Sequence, residues 1–107
     1  MQIETLDGYK NLNEILSVKG IDCIFIGAAD LSRSIAGSEG NFDLERVYAD
    51  ICKRVRDAGI YLGAAVGASL ESAKKAKDNG VQFVVFGQDS RILSGGLKKN
   101  LDFFKNY

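Results

Sequence analysis

The sequence contains no histidine among its 107 residues. Histidine is the commonest general base, the commonest transition-metal ligand and the usual partner of a serine or cysteine nucleophile, so this chain cannot build those sites by itself. Cysteine is also scarce, with only Cys23 and Cys52. These two lack the C-x-x-C spacing of metal and redox pairs and lie in apolar patterns. We therefore expect two small hydrophobic side chains without a disulfide.

Long apolar runs and an excess of one charge are missing as well. No run approaches the roughly 20 apolar residues that cross a bilayer, and residues 1–8 contain neither the basic region nor the apolar core of a signal peptide. Lys+Arg and Asp+Glu both number 14, and the formal net charge is +0. The sequence therefore indicates neither a membrane nor a nucleic-acid partner, and we expect a cytoplasmic protein.

Four short apolar runs, at 1–5, 23–27, 60–66 and 83–87, alternate with longer amphipathic stretches. The second and fourth runs are apolar throughout, which is typical of strands with both faces covered in a parallel sheet flanked by helices. The spacing of apolar residues predicts the intervening helices, which are expected at 9–18, at 44–55 and, after a Ser69 cap, up to Gly80.

Two segments are harder to assign. The spacing of leucines predicts a last helix that is interrupted at Gly95 and Gly96, because each glycine inside a helix costs roughly 1 kcal/mol. Residues 28–41 are rich in Ser, Gly and Ala and are expected to form a long connection after the second strand. Long loops at the carboxyl ends of parallel strands commonly carry the functional site of an α/β protein.

The order of these elements predicts an α/β fold of four βα units with parallel strands, forming a single domain over residues 1–107. Four such units are half of a (β/α)₈ TIM barrel, and they can also form a small open sheet. In both arrangements the first and last strands have exposed edges, which invite pairing with another chain.

Two carboxylates follow predicted strands, Glu4 after the first and Asp30 shortly after the second. If those strands are neighbours, both side chains lie at one mouth of the sheet, where two carboxylates and water suit Mg²⁺ or Mn²⁺. A simpler interpretation makes Asp30 the cap of a helical turn beginning at Leu31 and Glu4 a solvated residue near the terminus. Gly27 is then a tight-turn glycine, although amides after it could hold an anion.

Four segments carry a family resemblance: QIET at 2–5, NLNEIL at 11–16, GAADLS at 27–32 and GVQFVVFGQD at 80–89. In order and spacing they resemble the HpcH/HpaI aldolase and citrate lyase family, whose members are (β/α)₈ barrels that make or break carbon–carbon bonds next to pyruvate. The resemblance covers essentially the whole chain and aligns it with the C-terminal half of the barrel.

The resemblance implies a set of site residues. Glu4 and Asp30 would bind a divalent metal, Mg²⁺, Mn²⁺ or Co²⁺, and a pyruvate-like keto acid would chelate that metal. Gln2 would contact the keto side of the substrate, and the backbone at Ala29 and Asp30 would hold its carboxylate. Ala28 stands where the family motif normally has proline, which loosens the turn without removing a ligand.

The resemblance also implies that catalytic groups are missing. The family's catalytic histidine and its enolate-stabilising arginine lie in the N-terminal half, and Arg33 and Arg91 are not at matching positions, so no catalytic residue is assigned. We expect part of a metal-dependent aldolase that needs a complementing N-terminal half-barrel chain. The alternatives are a non-catalytic half-barrel that forms a homo-oligomer around a vestigial metal site, and an open-sheet protein that binds an anion near Gly27.

Overall fold

A computed structural model of the chain describes residues 1–67 and 69–107, in which strands and helices alternate. In chain order, the elements are β1 (Gln2–Ile3), α1 (Leu6–Lys10), α2 (Leu12–Ser17), β2 (Cys23–Ile26), α3 (Ala28–Ala36), α4 (Leu44–Asp57), β3 (Tyr61–Val66), α5 (Leu70–Asp78), β4 (Phe83–Phe86) and α6 (Asp89–Lys105). Among the described residues, no helix has the length and apolar character that crossing a membrane requires.

The four strands form one sheet in the order β1-β2-β3-β4, and every neighbouring pair is parallel. The sequence order of the strands is thus their spatial order, which is the arrangement that successive βα units produce in a barrel wall. The predicted α/β class with four parallel strands is confirmed.

The hydrophobic core lies on one face of this sheet, which we call the outer face. Ile24 and Leu62 on the strands and Ile51 and Val55 on α4 are completely buried in it. Helix α4 presents its apolar residues at helical spacing, and its first turn is fixed by Asp43, whose Oδ1 accepts a hydrogen bond from the Arg46 amide at 2.9 Å. Burial of this apolar stripe against the sheet is the main stabilising contact of the fold.

The opposite face, which we call the inner face, is open. Strand register places Gln2, Phe25, Gly63 and Phe83 side by side across the four strands. The rings of Phe25 and Phe83 meet edge to face at 6.3 Å over Gly63, where a Cβ would lie only 2.8 Å from Phe25. Phe83 nevertheless remains 56% exposed, so this aromatic pair does not close the inner face.

The prediction that β2 and β4 are covered on both faces is wrong. Strand β2 alternates between buried and half-buried residues, and every residue of β4 is exposed. Helix α6, which follows β4, has no buried residue either. An apolar run indicates a preference for burial, but β4 is only partly covered: Phe83 contacts Phe25 on the inner face and is still 56% exposed.

Three predicted helical segments also differ in detail. The helix expected at 9–18 is two short helices, α1 and α2, which meet at Asn11. The connection expected at 28–41 contains helix α3, because Leu31 and Ile35 recur at helical spacing and pack against the core. Helix α6 runs through Gly95 and Gly96 without interruption, since the modest cost of two glycines is outweighed by the good helix formers around them.

The glycines of α6 generate a first prediction. A Cβ at Gly95 would meet no atom within 4 Å, so Gly95→Ala should stabilise α6 by about 1 kcal/mol. Hydrogen exchange of the α6 amides should slow by about fivefold. Gly20→Ala is the matched control, because that site is equally open but has φ +89, where a Cβ is strained. Faster exchange in Gly95→Ala would show that the helix is in fact broken there.

The cysteines generate a second prediction. Both are free, Cys23 half-buried and Cys52 buried, as expected from the sequence. Burial raises the pKa of the Cys52 thiol to about 11, despite an opposing effect of Arg56. Because the thiolate is the reactive form, a disulfide reagent at pH 8 should modify Cys23 faster than Cys52 by about 100-fold. The Cys23→Ser variant should keep only the slow reaction, and equal rates in the native chain would contradict the burial of Cys52.

Candidate metal and substrate site

The predicted site residues lie at the carboxyl ends of β1 and β2. These strands are parallel neighbours, with Ile3 opposite Ile26, and the Gly27 amide donates to the Ile3 carbonyl at 2.9 Å. Glu4 follows β1 directly, and Asp30 lies in the first turn of α3, which begins one residue after Gly27. Both carboxylates are therefore carried at the same edge of the sheet.

Gln2 and Glu4 are in direct contact. The Nε2 atom of Gln2 donates a hydrogen bond of 2.7 Å to Oε2 of Glu4. This pair crosses in front of Gly27, where a Cβ would stand 2.7 Å from Gln2 Nε2 and 2.8 Å from Glu4 Cβ. The contact joins the predicted keto-side residue to one of the two predicted metal ligands.

Asp30 has a different neighbour. Its Oδ1 atom accepts a hydrogen bond of 2.7 Å from Nη1 of Arg33, one turn later on α3. Both side chains are more than half exposed, and an exposed pair of this kind contributes only about 0–1 kcal/mol. Sequence reasoning set Arg33 aside, although the i,i+3 spacing of an aspartate and an arginine on a helix signals such a contact.

One of the simpler sequence interpretations is wrong. Asp30 does not cap a turn that begins at Leu31, because α3 begins at Ala28 with Gly27 at the N-cap position and no side-chain cap. The helix starts earlier because Leu31 is buried as part of its apolar stripe. Gly27 does lie in a tight turn, because its φ of −86° and ψ of 73° are close to those of an inverse γ-turn, although this φ is open to any residue.

The start of α3 presents backbone amides at this edge. The Leu31 amide makes the first helical bond, to the Gly27 carbonyl at 2.9 Å. The amides of Ala29 and Asp30 precede it, and the described part of the chain provides no hydrogen-bond acceptor for either of them. Unpaired amides at a helix N-terminus favour an anionic group such as a substrate carboxylate.

The donor set fits a hard divalent cation. Two carboxylates with several waters match the preference of Mg²⁺ or Mn²⁺ for oxygen ligands and retained water. Within the ranges that the structure covers, no cluster of three or more His, Cys, Asp or Glu side chains is present. A closed all-protein cage, such as a structural zinc site, is therefore absent from those ranges, and the residues suit an open site that shares its ion with a substrate.

A cavity lies beside these residues. It has a volume of about 490 Å³, lies between α4 and α5, and is bridged by Lys75 and Glu45 at 3.2 Å. Burial raises the pKa of the half-buried Tyr48 phenol on its wall. Gln2, Glu4 and Asp30 do not line this cavity, but Ala28 at the start of α3 does, so the cavity adjoins the sheet edge that carries Glu4 and Asp30.

Comparisons with known proteins agree with this architecture. Residues 1–94 match the profile of the HpcH/HpaI aldolase/citrate lyase family. The 2-keto-3-deoxy-L-rhamnonate aldolase of Shigella dysenteriae is 35% identical over 99% of this chain, and its Escherichia coli counterpart is equally similar. In both cases the match spans 40% of the relative, so the chain has less than half the length of these curated enzymes.

Solved structures show the same fold. An HpcH/HpaI aldolase from Desulfitobacterium hafniense superposes with a TM-score of 0.85 at 22% identity, over 99% of this chain and 42% of that one. A family protein from Burkholderia cenocepacia gives a TM-score of 0.84 at 24% identity, over 97% and 41% of the two chains. The four βα units are thus equivalent to half of such a barrel. On the profile match and this shared architecture, the chain belongs to the HpcH/HpaI aldolase/citrate lyase family.

Proposed function

We propose that this chain is the metal-binding half of a carbon–carbon lyase, an aldolase that cleaves hydroxy-keto acids to pyruvate and an aldehyde. The observation that supports it best is the placement of Glu4 and Asp30 at the same ends of two paired parallel strands. The relatives named as 2-keto-3-deoxy-L-rhamnonate aldolases support a small keto acid as the substrate class.

Each site residue has a role in this proposal. Glu4 and Asp30 hold the divalent cation, Mg²⁺, Mn²⁺ or Co²⁺, which when bound supplies Lewis-acid polarisation of the keto oxygen. Gln2 lies on the inner face beside Glu4 and contacts the keto side of the substrate. The amides of Ala29 and Asp30 at the start of α3 hold the substrate carboxylate. Arg33 occupies only Oδ1 of Asp30, so the second oxygen, Oδ2, is left for the ion.

The histidine and arginine that the family resemblance places in the N-terminal half have no counterpart in this chain. It contains no histidine, and a positioned general base typically contributes about 10²–10⁴-fold. We therefore propose that a complementing half-barrel supplies the base and an arginine for the enolate. The open inner face offers the surface against which that half would close, with Phe83 and Val85 56% and 46% exposed.

Metal binding tests the proposal. Calorimetric titration of the chain with Mn²⁺ should show binding. The Glu4→Ala and Asp30→Ala variants should each have an Mn²⁺ affinity lower by at least about tenfold, or ~1.4 kcal/mol. Asp57→Ala is the matched control, because that carboxylate is equally exposed and also paired with a cation on its own helix. Addition of pyruvate should tighten Mn²⁺ binding if both share the site. Failure of the intact chain to bind Mn²⁺ would contradict the proposal.

The second candidate is a non-catalytic half-barrel that associates with itself around a vestigial site. The exposed residues of β4 favour it, because an apolar edge strand is a template for pairing. A second copy is then the occupant of the inner face. Self-association by itself is compatible with both candidates, and the Mn²⁺ titration separates them.

Sedimentation measurements should show a dimer for the native chain. Val85→Asp places a charge on the inner face, opposite Ala65 and two residues after Phe83 on β4. It should shift the chain to monomer because an unpaired charge is costly at an apolar interface. Val18→Asp is the matched control, because Val18 is also exposed, at 56%, but lies in the segment between α2 and β2. Circular dichroism should confirm that both variants fold. A monomeric native chain, or equal effects of the two substitutions, would contradict this surface.

A further inference from the structure

We infer that Gln2 and Gly27 are positioning residues that hold the Glu4 carboxylate in one orientation. The inference rests on the proposed metal site and concerns how that site is prepared before an ion arrives. It is carried by the hydrogen bond between Gln2 Nε2 and Glu4 Oε2 and by the space at Gly27, where a Cβ would stand 2.7 Å from Gln2 Nε2.

The hydrogen bond from Gln2 uses one of the two carboxylate oxygens of Glu4 and leaves the other free. Oε2 accepts from Gln2 Nε2 at 2.7 Å, and the described residues donate no other hydrogen bond to this carboxylate. Oε1 is consequently left for a cation. A carboxylate that is already hydrogen-bonded loses less rotational freedom when it binds a metal, and outer contacts of this kind orient metal ligands in proteins.

The backbone does not require glycine at position 27. Its φ of −86° lies where any residue is accommodated. The requirement comes from space: an added Cβ would stand 2.7 Å from Gln2 Nε2 and 2.8 Å from Glu4 Cβ. The first contact could relax by moving the end of a flexible side chain. The second could not, because the Glu4 Cβ is fixed by the β1 backbone.

Glycine 37, at the other end of α3, gives a matched comparison. It has nearly the same φ, −83°, and a Cβ there would meet its nearest atom, the Arg33 carbonyl oxygen, at 3.6 Å. That is an ordinary contact distance. The two glycines flank one helix and differ in whether the Gln2–Glu4 pair crosses them, so comparing their alanine variants isolates the effect of that pair.

The first measurement is Mn²⁺ affinity by calorimetry on the intact chain. Gln2→Ala and Gly27→Ala should each weaken binding by about tenfold or more, as the loss of an outer contact at a metal site does. Gly37→Ala should bind within about twofold of the native chain. A purely structural role of Gly27 would instead lower the melting temperature without changing the affinity of the folded fraction.

The second measurement needs no metal. In NMR spectra of a ¹⁵N-labelled chain, the Gln2 side-chain amide should give a shifted, slowly exchanging proton signal. In the Glu4→Ala and Gly27→Ala variants this signal should return to the position of a free amide. The Gln88 side chain is an internal reference, because it precedes α6 without making a cap hydrogen bond. Gly37→Ala should leave the Gln2 signal in place.

These outcomes separate the two proposals. If Mn²⁺ binds in a Glu4-dependent way but Gly27→Ala and Gly37→Ala behave alike, the positioning inference is overturned and the metal site survives. If the intact chain binds no Mn²⁺, the proposed function fails, and the amide signal alone decides whether Gln2 orients Glu4. If the Gln2 amide signal is the same in Glu4→Ala as in the native chain, the inference is overturned whether or not Mn²⁺ binds.

Discussion

The parallel pairing of β1 with β2 is the constraint on which the site depends. Strand β1 is only two residues long, yet it sets Ile3 opposite Ile26 and thereby places Glu4 beside Gly27. Burial of Ile3 in the core holds this short strand in place. The chain after Glu4 is fixed at once by Thr5, whose Oγ1 accepts from the Gly8 amide at 3.0 Å as the cap of α1. Glu4, which directly follows this short strand, is therefore held from both sides.

The two faces of the sheet differ in a way that explains the architecture. The outer face of β2 and β3 is buried against helices, whereas the inner face carries the half-buried Phe25 and the exposed Phe83 and Val85. In a complete (β/α)₈ barrel the inner face is packed by the side chains of all eight strands. A chain with four βα units supplies only part of that packing. The inner face is open in a chain whose match spans 40% of the length of its curated relatives, as the packing of a four-strand sheet requires.

The sheet edge that carries Glu4 and Asp30 offers groups for binding but no histidine for catalysis. The chain offers two carboxylates, an amide side chain beside one of them and helix amides beside the other, which are groups for binding and orientation. It has no histidine for proton transfer. Binding and catalysis are therefore divided in the proposed enzyme: this chain holds the metal and the keto acid, and the complementing half supplies the base. Because of this division, metal affinity measures the proposed role of this chain more directly than the rate of substrate turnover does.

The sequence by itself determined the order of strands and helices, the family, and the positions of Glu4 and Asp30 after two strands. Those features follow from local patterns, because apolar periodicity and short motifs are written in consecutive residues. Tertiary structure alone decided that Gln2 bonds to Glu4 across the space left by Gly27 and that every residue of β4 remains exposed. Both features depend on strand register and on which surfaces of the fold meet. An apolar residue is expected to prefer burial, but its sequence does not show whether another element is present to bury it.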